Sequence, residues 1–155
     1  MKTPTNVAEV MTCDVLTLTE DQDLRHIEET MRLFRFRHMP VVADGRLVGL
    51  ISHRDVLRTA ASSLLPNGRA QSEHLARTFH VRDVMTHPRV VHPETPLVAA
   101  ARTMYREKLG CLPVVDESNV LVGILTDADF VRLALELLQG HAEPRSPRGT
   151  TPPAA

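Results

Sequence analysis

The 155-residue sequence has no tryptophan, and Tyr105 is its only tyrosine. Filling a core therefore falls to Val, Leu, Ile, Ala and Met. Cysteine is also scarce: Cys13 and Cys111 are the only two. The chain is large enough to fold without disulfides, so a reduced intracellular state fits, and neither thiol reads as a disulfide partner or a nucleophile. No run approaches the ~18 apolar residues of a membrane span, and Met1-Lys2-Thr3-Pro4 leads into no apolar signal region. The expectation is a soluble, cytoplasmic protein with no membrane partner. Net charge is only −1 and the isoelectric point is near 6.7, which excludes a strongly basic nucleic-acid surface. Arg32, Arg35 and Arg37 form a local basic run that reads as a solvated helix face. The eight histidines include no His-x-x-x-His pair, and Cys-x-x-Cys is missing, so no metal site is expected. No Ser or Cys sits in a nucleophile elbow. The sequence offers no catalytic residues and calls for no obligatory cofactor.

What is present is a duplication. Val7-Ala8-Glu9-Val10-Met11-Thr12 returns as Val81-Arg82-Asp83-Val84-Met85-Thr86. Met39-Pro40-Val41-Val42 returns as Leu112-Pro113-Val114-Val115, and Val48-Gly49-Leu50-Ile51-Ser52-His53-Arg54-Asp55 as Val122-Gly123-Ile124-Leu125-Thr126-Asp127-Ala128-Asp129. The offset is 74, then 73, then 74 again. Single-residue length changes at loops with the apolar frame retained mark a repeated folding unit. A chain of this length buries roughly 68–70% of its unfolded surface, whereas a half of ~60 residues is marginal alone, so the repeats are expected to fold together. The boundaries read as a first repeat 7–65, a connecting insert 66–80, a second repeat 81–139 and a disordered tail 140–155. The insert has room for a short helix opening at Ser72. The tail combines prolines with almost no large apolar side chain.

Each repeat reads strand, helix, strand, strand, helix. Val15–Leu18 is the first strand, and Thr19 caps a helix with Glu20, Asp21 and Asp23 in its first turn. Leu24, Ile27, Met31 and Phe34 recur at helical spacing and predict one buried stripe. Met39–Ala43, the turn Asp44-Gly45 and Arg46–Ser52 read as a hairpin, followed by a helix from Asp55 to about Leu65. In the second repeat, Arg89–His92 is the strand and Pro93–Leu109 covers a helix with Leu97, Ala101, Met104 and Tyr105 inward. Leu112–Asp116 pairs with Val120–Thr126, and Asp127–Gln139 is the last helix. Met11, Met31, Met39, Met85 and Met104 are core or cleft lining.

The repeated Gly-apolar-apolar-Ser/Thr-x-x-Asp element carries the chemistry. It places Ser52 or Thr126 at the end of a strand where a helix begins, with Asp55 or Asp129 at the end of the first turn. A helix opening presents N–H groups and positive potential to an anion such as phosphate. A carboxylate is acceptor-only and can grip the paired hydroxyls of a ribose. Gly49 and Gly123 let another group approach the strand closely. The same Ser/Thr-x-x-acid spacing also makes a helix capping box, which needs no ligand. Asp in both copies departs from the Glu or Gln that a capping box favours, and one side chain can serve both ends. Both readings stand.

With these motifs in hand, Val7–Gln139 resembles a pair of cystathionine β-synthase (CBS) domains, the tandem unit called a Bateman module. The resemblance rests on Val-x-x-Val-Met-Thr, Met/Leu-Pro-Val-Val and Gly-apolar-apolar-Ser/Thr-x-x-Asp, each present twice and in order. It implies a mixed α/β (α+β) fold of two β-α-β-β-α repeats packed as a pseudo-two-fold pair, with clefts that in many members bind AMP, ADP, ATP or S-adenosylmethionine. It further implies that Asp55 and Asp129 hold ribose hydroxyls and that Ser52 and Thr126 approach phosphate. Thr17, Val90, Ile51, Leu125, Val41 and Val114 would flank adenine, and Arg37 and His38 would face the phosphates. Arg54 beside Asp55 offers charge-assisted contacts; the second repeat has Asp127-Ala128 and Gly110-Cys111 at the matching places. Phosphates are therefore expected to favour the first repeat. The implied function is a stand-alone regulatory module that binds an adenosine nucleotide and signals by conformational shift, as a homodimer or to a regulated protein. The alternative is a ligand-free dimerisation or interaction scaffold.

Overall fold

The computed structural model describes residues 3–62 and 79–139. The disordered-tail expectation for 140–155, the helix at Ser72 and the end of the first repeat at Leu65 lie outside the described residues. A 3-10 turn, Val7–Glu9, precedes α1 (Leu24–Phe34), β1 (His38–Ala43), β2 (Arg46–Ser52) and α2 (His53–Ser62). After the insert come α3 (Val81–Val84), α4 (Leu97–Glu107), β3 (Cys111–Val115), β4 (Leu121–Thr126) and α5 (Asp127–Gln139). The strands form two two-stranded sheets, β1–β2 and β3–β4, so the fold is mixed α/β.

The first hairpin is antiparallel, with Met39 opposite Ile51 and Val41 opposite Gly49. Its turn holds Asp44 at φ 50° and Gly45 at φ 76°, two successive positive values that match the right-handed twist of the strands they join.

The two expected first strands shrink to one parallel bridge each, Leu18 with Val41 and Val91 with Val114. Proline is the physical reason. Leu18 N–H donates to the Pro40 carbonyl at 2.9 Å and Val42 N–H to the Leu18 carbonyl at 2.8 Å. The next bond toward the N-terminus would need an N–H on Pro40, which has none. Pro113 stops the Val91 pairing in the same way.

Two compact units form, and neither coincides with one sequence repeat. One, the Asp129 unit, gathers the residues up to Leu16, Val90–Val115 and the residues from Val122 onward. The other, the Asp55 unit, gathers Thr17–Arg89 and Asp116–Leu121. Each unit thus takes its opening segment from the other repeat. In the Asp129 unit, Val7 N–H bonds the Thr95 carbonyl at 3.0 Å, Ala8 N–H that of Pro93 at 2.9 Å, and Leu97 N–H that of Thr5 at 2.9 Å. In the Asp55 unit, Val81 N–H reaches Gln22 at 2.9 Å, Arg82 N–H reaches Glu20 at 3.1 Å and Leu24 N–H reaches Phe79 at 3.3 Å.

These bonds correct the helix starts. Residues 20–23 and 93–96 are held by the opening segments, so α1 begins at Leu24 rather than after Thr19, and α4 at Leu97 rather than Pro93. Thr19 instead closes a turn, accepting from Gln22 N–H at 3.3 Å. Leu24, Ile27 and Met31 are buried as expected, as are Leu97 and Met104. Tyr105 is not inward: it is 76% exposed, with the Lys108 ammonium 4.7 Å from its ring centre. The inward stripe of α4 is Leu97, Ala100 and Met104, and position 105 falls beyond its edge.

The opening segments also explain both glycines. A Cβ on Gly123 would lie 2.8 Å from Met11 Sδ and 3.0 Å from the Thr12 carbonyl; one on Gly49 would lie 2.6 Å from Met85 Sδ. The group that approaches each strand is a methionine of the repeated Val-Met-Thr. In the Asp129 unit, Val7, Val10 and Met11 join Val91, Leu97, Met104, Leu112, Val114 and Leu125 in one core, against which Phe130 and Leu133 pack.

Candidate functional site

In the Asp55 unit the β2–α2 junction is fixed from both sides. His53 N–H donates to the Arg37 carbonyl at 2.8 Å, tying the start of α2 to the residue before β1. Ser52 Oγ accepts from Asp55 N–H at 3.2 Å. In return, Asp55 Oδ2 accepts from the Ser52 N–H at 3.1 Å and from the Ser52 hydroxyl at 2.5 Å. The capping reading is therefore realised. Two of the N–H groups that an anion could use, those of His53 and Asp55, are already engaged, because the chain satisfies its own helix end. All of these bonds use Oδ2. Asp55 is half-buried, and its Oδ1 accepts nothing from a described residue.

Around this carboxylate the chain places basic residues. His38 pairs with Ser52 across the hairpin, so Arg37, His38, Ser52, Arg54 and Asp55 converge at one end of the sheet. Arg37 and Arg54 are exposed and His38 is half-buried. Thr17, also half-buried, stands beside the Leu18–Val41 bridge on the outer edge of β1. Val41 and Ile51 are fully buried, opposite Gly49 and Met39 in the hairpin.

The Asp129 unit repeats the frame with a different outcome. Asp127 N–H donates to the Gly110 carbonyl at 3.1 Å, and Asp129 Oδ2 accepts both the N–H and the hydroxyl of Thr126 at 2.8 Å. Here Oδ1 is occupied too. It accepts from Arg132 Nη2 at 3.2 Å and from the Thr12 hydroxyl at 3.4 Å. Arg132 Nη2 also donates to the Val10 carbonyl at 3.0 Å. Asp129 is 2% exposed and is the buried charged residue of the described chain. Val114 and Leu125 are fully buried, while Val90, next to the Val91–Val114 bridge, is 40% exposed.

Charge separates the two junctions as well. The place of Arg37-His38 is taken by Gly110-Cys111, and that of His53-Arg54 by Asp127-Ala128. Burial pushes the Cys111 thiol up to about 12, and the Asp127 charge adds to that shift. It is a packing group with no thiolate chemistry at neutral pH.

Thr12 and Arg132 were not singled out in the sequence. A signal existed: Arg58 and Arg132 both stand three residues after the motif aspartate, and Thr86 repeats Thr12. Among the described residues, no group of three or more His, Cys, Asp or Glu side chains could hold a metal ion. Nor is any described helix long and apolar enough to cross a membrane.

Comparison with known proteins follows the same lines. The family model for the CBS domain matches residues 7–62 and again 81–136. The solved structure of CBSX2 in complex with AMP is similar with a TM-score of 0.73 at 29% identity, covering 87% of this chain and 99% of that one. The CBS-pair protein CBSX2 from Arabidopsis thaliana gives 0.71 at 30% identity, over 86% and 96% of the two chains. A homoserine O-acetyltransferase from Methanococcoides burtonii is 37% identical over 134 residues, 84% of this chain and 24% of that protein. The chain spans between 24% and 46% of the length of the first three curated relatives it matches.

Proposed function

Because the chain belongs to the CBS domain family, we propose that it is a regulatory module whose Asp55 unit binds an adenosine nucleotide: AMP, ADP, ATP or a related adenosyl ligand. The observation that carries this reading is Asp55 itself. One of its oxygens is held by Ser52 and the other has no partner among the described residues, on a side chain that is only half-buried. A carboxylate oriented by its cap, with an oxygen to offer, suits the paired hydroxyls of a ribose. Arg54 and Arg37 supply charge-assisted contacts to phosphate, with His38 beside them. Thr17 borders the base, over Val41 and Ile51. Ser52 acts mainly by holding Asp55. That CBSX2 is known in complex with AMP supports the ligand class.

No chemistry is performed on the ligand in this reading. The ligand acts by binding one conformation better than another, and it shifts the balance by no more than that difference. A second copy of the chain or a regulated protein reads the outcome.

A second reading, a ligand-free interaction scaffold, is favoured by the completed Ser52–Asp55 cap and by exposed Val131, Leu135 and Leu138 on α5. Thermal unfolding with AMP, ADP, ATP, NAD and S-adenosylmethionine separates the two. At ~100 times its dissociation constant, a bound ligand stabilises the fold by ~2.7 kcal/mol. In Asp55→Ala, affinity should fall by the ~1.5–3 kcal/mol of a charged hydrogen bond. Absence of any shift with all five compounds would leave the scaffold.

A further inference from the structure

Asp129 has the same cap, strand and helix as Asp55, yet its second oxygen is closed. The closing group is Arg132, one turn along α5, which bonds Asp129 Oδ1 at 3.2 Å and the Val10 carbonyl at 3.0 Å. The Thr12 hydroxyl reaches the same oxygen at 3.4 Å. These are the contacts a ribose would have to replace. Arg58 holds the matching position in α2, and the hydroxyl of Thr86, the counterpart of Thr12, turns to the Leu50 carbonyl at 3.4 Å. The two repeats carry the same Asp, Arg and Thr and arrange them differently.

We propose that Arg132 is a built-in latch: it occupies the Asp129 carboxylate in place of a ligand and keeps the Asp129 unit out of adenosyl binding while the Asp55 unit stays open. The inference rests on the proposed ribose role of Asp55. Arg132 is 41% exposed against 2% for Asp129, so the arginine can swing toward solvent while the carboxylate cannot. Opening the site means moving Arg132. A buried carboxylate stripped of its cation is costly, so a ligand can open the latch only by supplying hydrogen bonds to Oδ1 of its own. Moving Arg132 also frees the Val10 carbonyl, so occupancy of this site would loosen the opening segment Val7–Met11.

Calorimetric titration of the full chain with AMP tests the latch. Wild type should bind one AMP, Asp55→Ala should bind it weakly, and Asp55→Ala/Arg132→Gln should regain binding, about tenfold or more tighter than Asp55→Ala alone. Adding Asp129→Ala to that pair should abolish the gain. A folded Asp55→Ala/Arg132→Gln protein that binds AMP no better than Asp55→Ala overturns the latch and leaves the Asp55 reading intact. Wild type silent to AMP with binding recovered in Arg132→Gln would overturn the Asp55 reading and keep the latch. Silence in every variant overturns both. If Arg132→Gln does not fold, Arg132→Lys keeps a charge beside Asp129 without the guanidinium fork and is judged by the same outcomes.

Discussion

Asp55 and Asp129 occupy equivalent positions in two copies of one motif, and they have become different groups. Asp55 is half-buried with one oxygen committed; Asp129 is 2% exposed with both committed. The motif sets the cap in each case. What the remaining oxygen does is set by residues outside the motif, one turn further along the helix or on an opening segment more than a hundred positions away. A duplicated motif thus predicts duplicated local geometry and leaves duplicated function to be decided by the neighbours.

The sharpest way to break the comparison is to remove one opening segment. Deleting residues 1–16 strips Val7, Val10 and Met11 from the Asp129 unit. At ~1.5–3 kcal/mol for each buried apolar side chain, this should cost about 5 kcal/mol or more, enough to unfold that unit. Amide exchange should show the loss in α4 and β3, belonging to the second repeat, while β1 and β2 stay protected.

Next in size is the pair of carboxylates. Asp129→Ala removes the partner of Arg132 and of two hydroxyls, and should lower stability by about 2–4 kcal/mol, reduced from the fully buried case because Arg132 reaches solvent. Asp55→Ala should cost only the ~0.5–2 kcal/mol of a lost cap. Urea denaturation measures both, and equal losses would erase the distinction drawn between them.

Smaller again, Gly49→Ala and Gly123→Ala should each lose ~1–3 kcal/mol, the usual cost of overpacking, since each new methyl meets a methionine sulfur. Finally, the thiols: a disulfide reagent at pH 8 should label exposed Cys13 quickly and reach buried Cys111 only on unfolding. The unfolded chain releases the Cys111 proton near 9.0, whereas the folded chain keeps it until about 12. Stability from this thiol is therefore whole below pH 9.0 and is lost as pH rises toward 12. In Cys111→Ala that alkaline loss should flatten.

Much of the fold was legible because it is local. The Asp44-Gly45 turn, the spacing of Leu24, Ile27 and Met31, and the Ser/Thr-x-x-Asp caps are all written within a few residues. The first strands failed on Pro40 and Pro113: the prolines were visible, but the edge on which their missing N–H falls was not. The starts of α1 and α4 failed because residues 79–82 and 5–8 hold the backbone there, a pairing no window of sequence contains. At the site, Asp55 was readable from the motif spacing and Arg54 from its charge beside it, whereas Arg37 and His38 came only from the resemblance to CBS pairs. The closure of Asp129 was not readable, since Arg58 and Arg132 both stand three residues after their aspartates.

The exchange of opening segments has a bearing on how such a chain could be divided or rearranged. Cutting it within the insert at 66–80 would give two pieces, each carrying the other's missing part, so neither piece alone holds a finished core. Mixed in solution, the two pieces should find each other and recover structure that neither has separately. A gene fragment encoding one repeat would be an incomplete instruction, completed only where the other copy is also present.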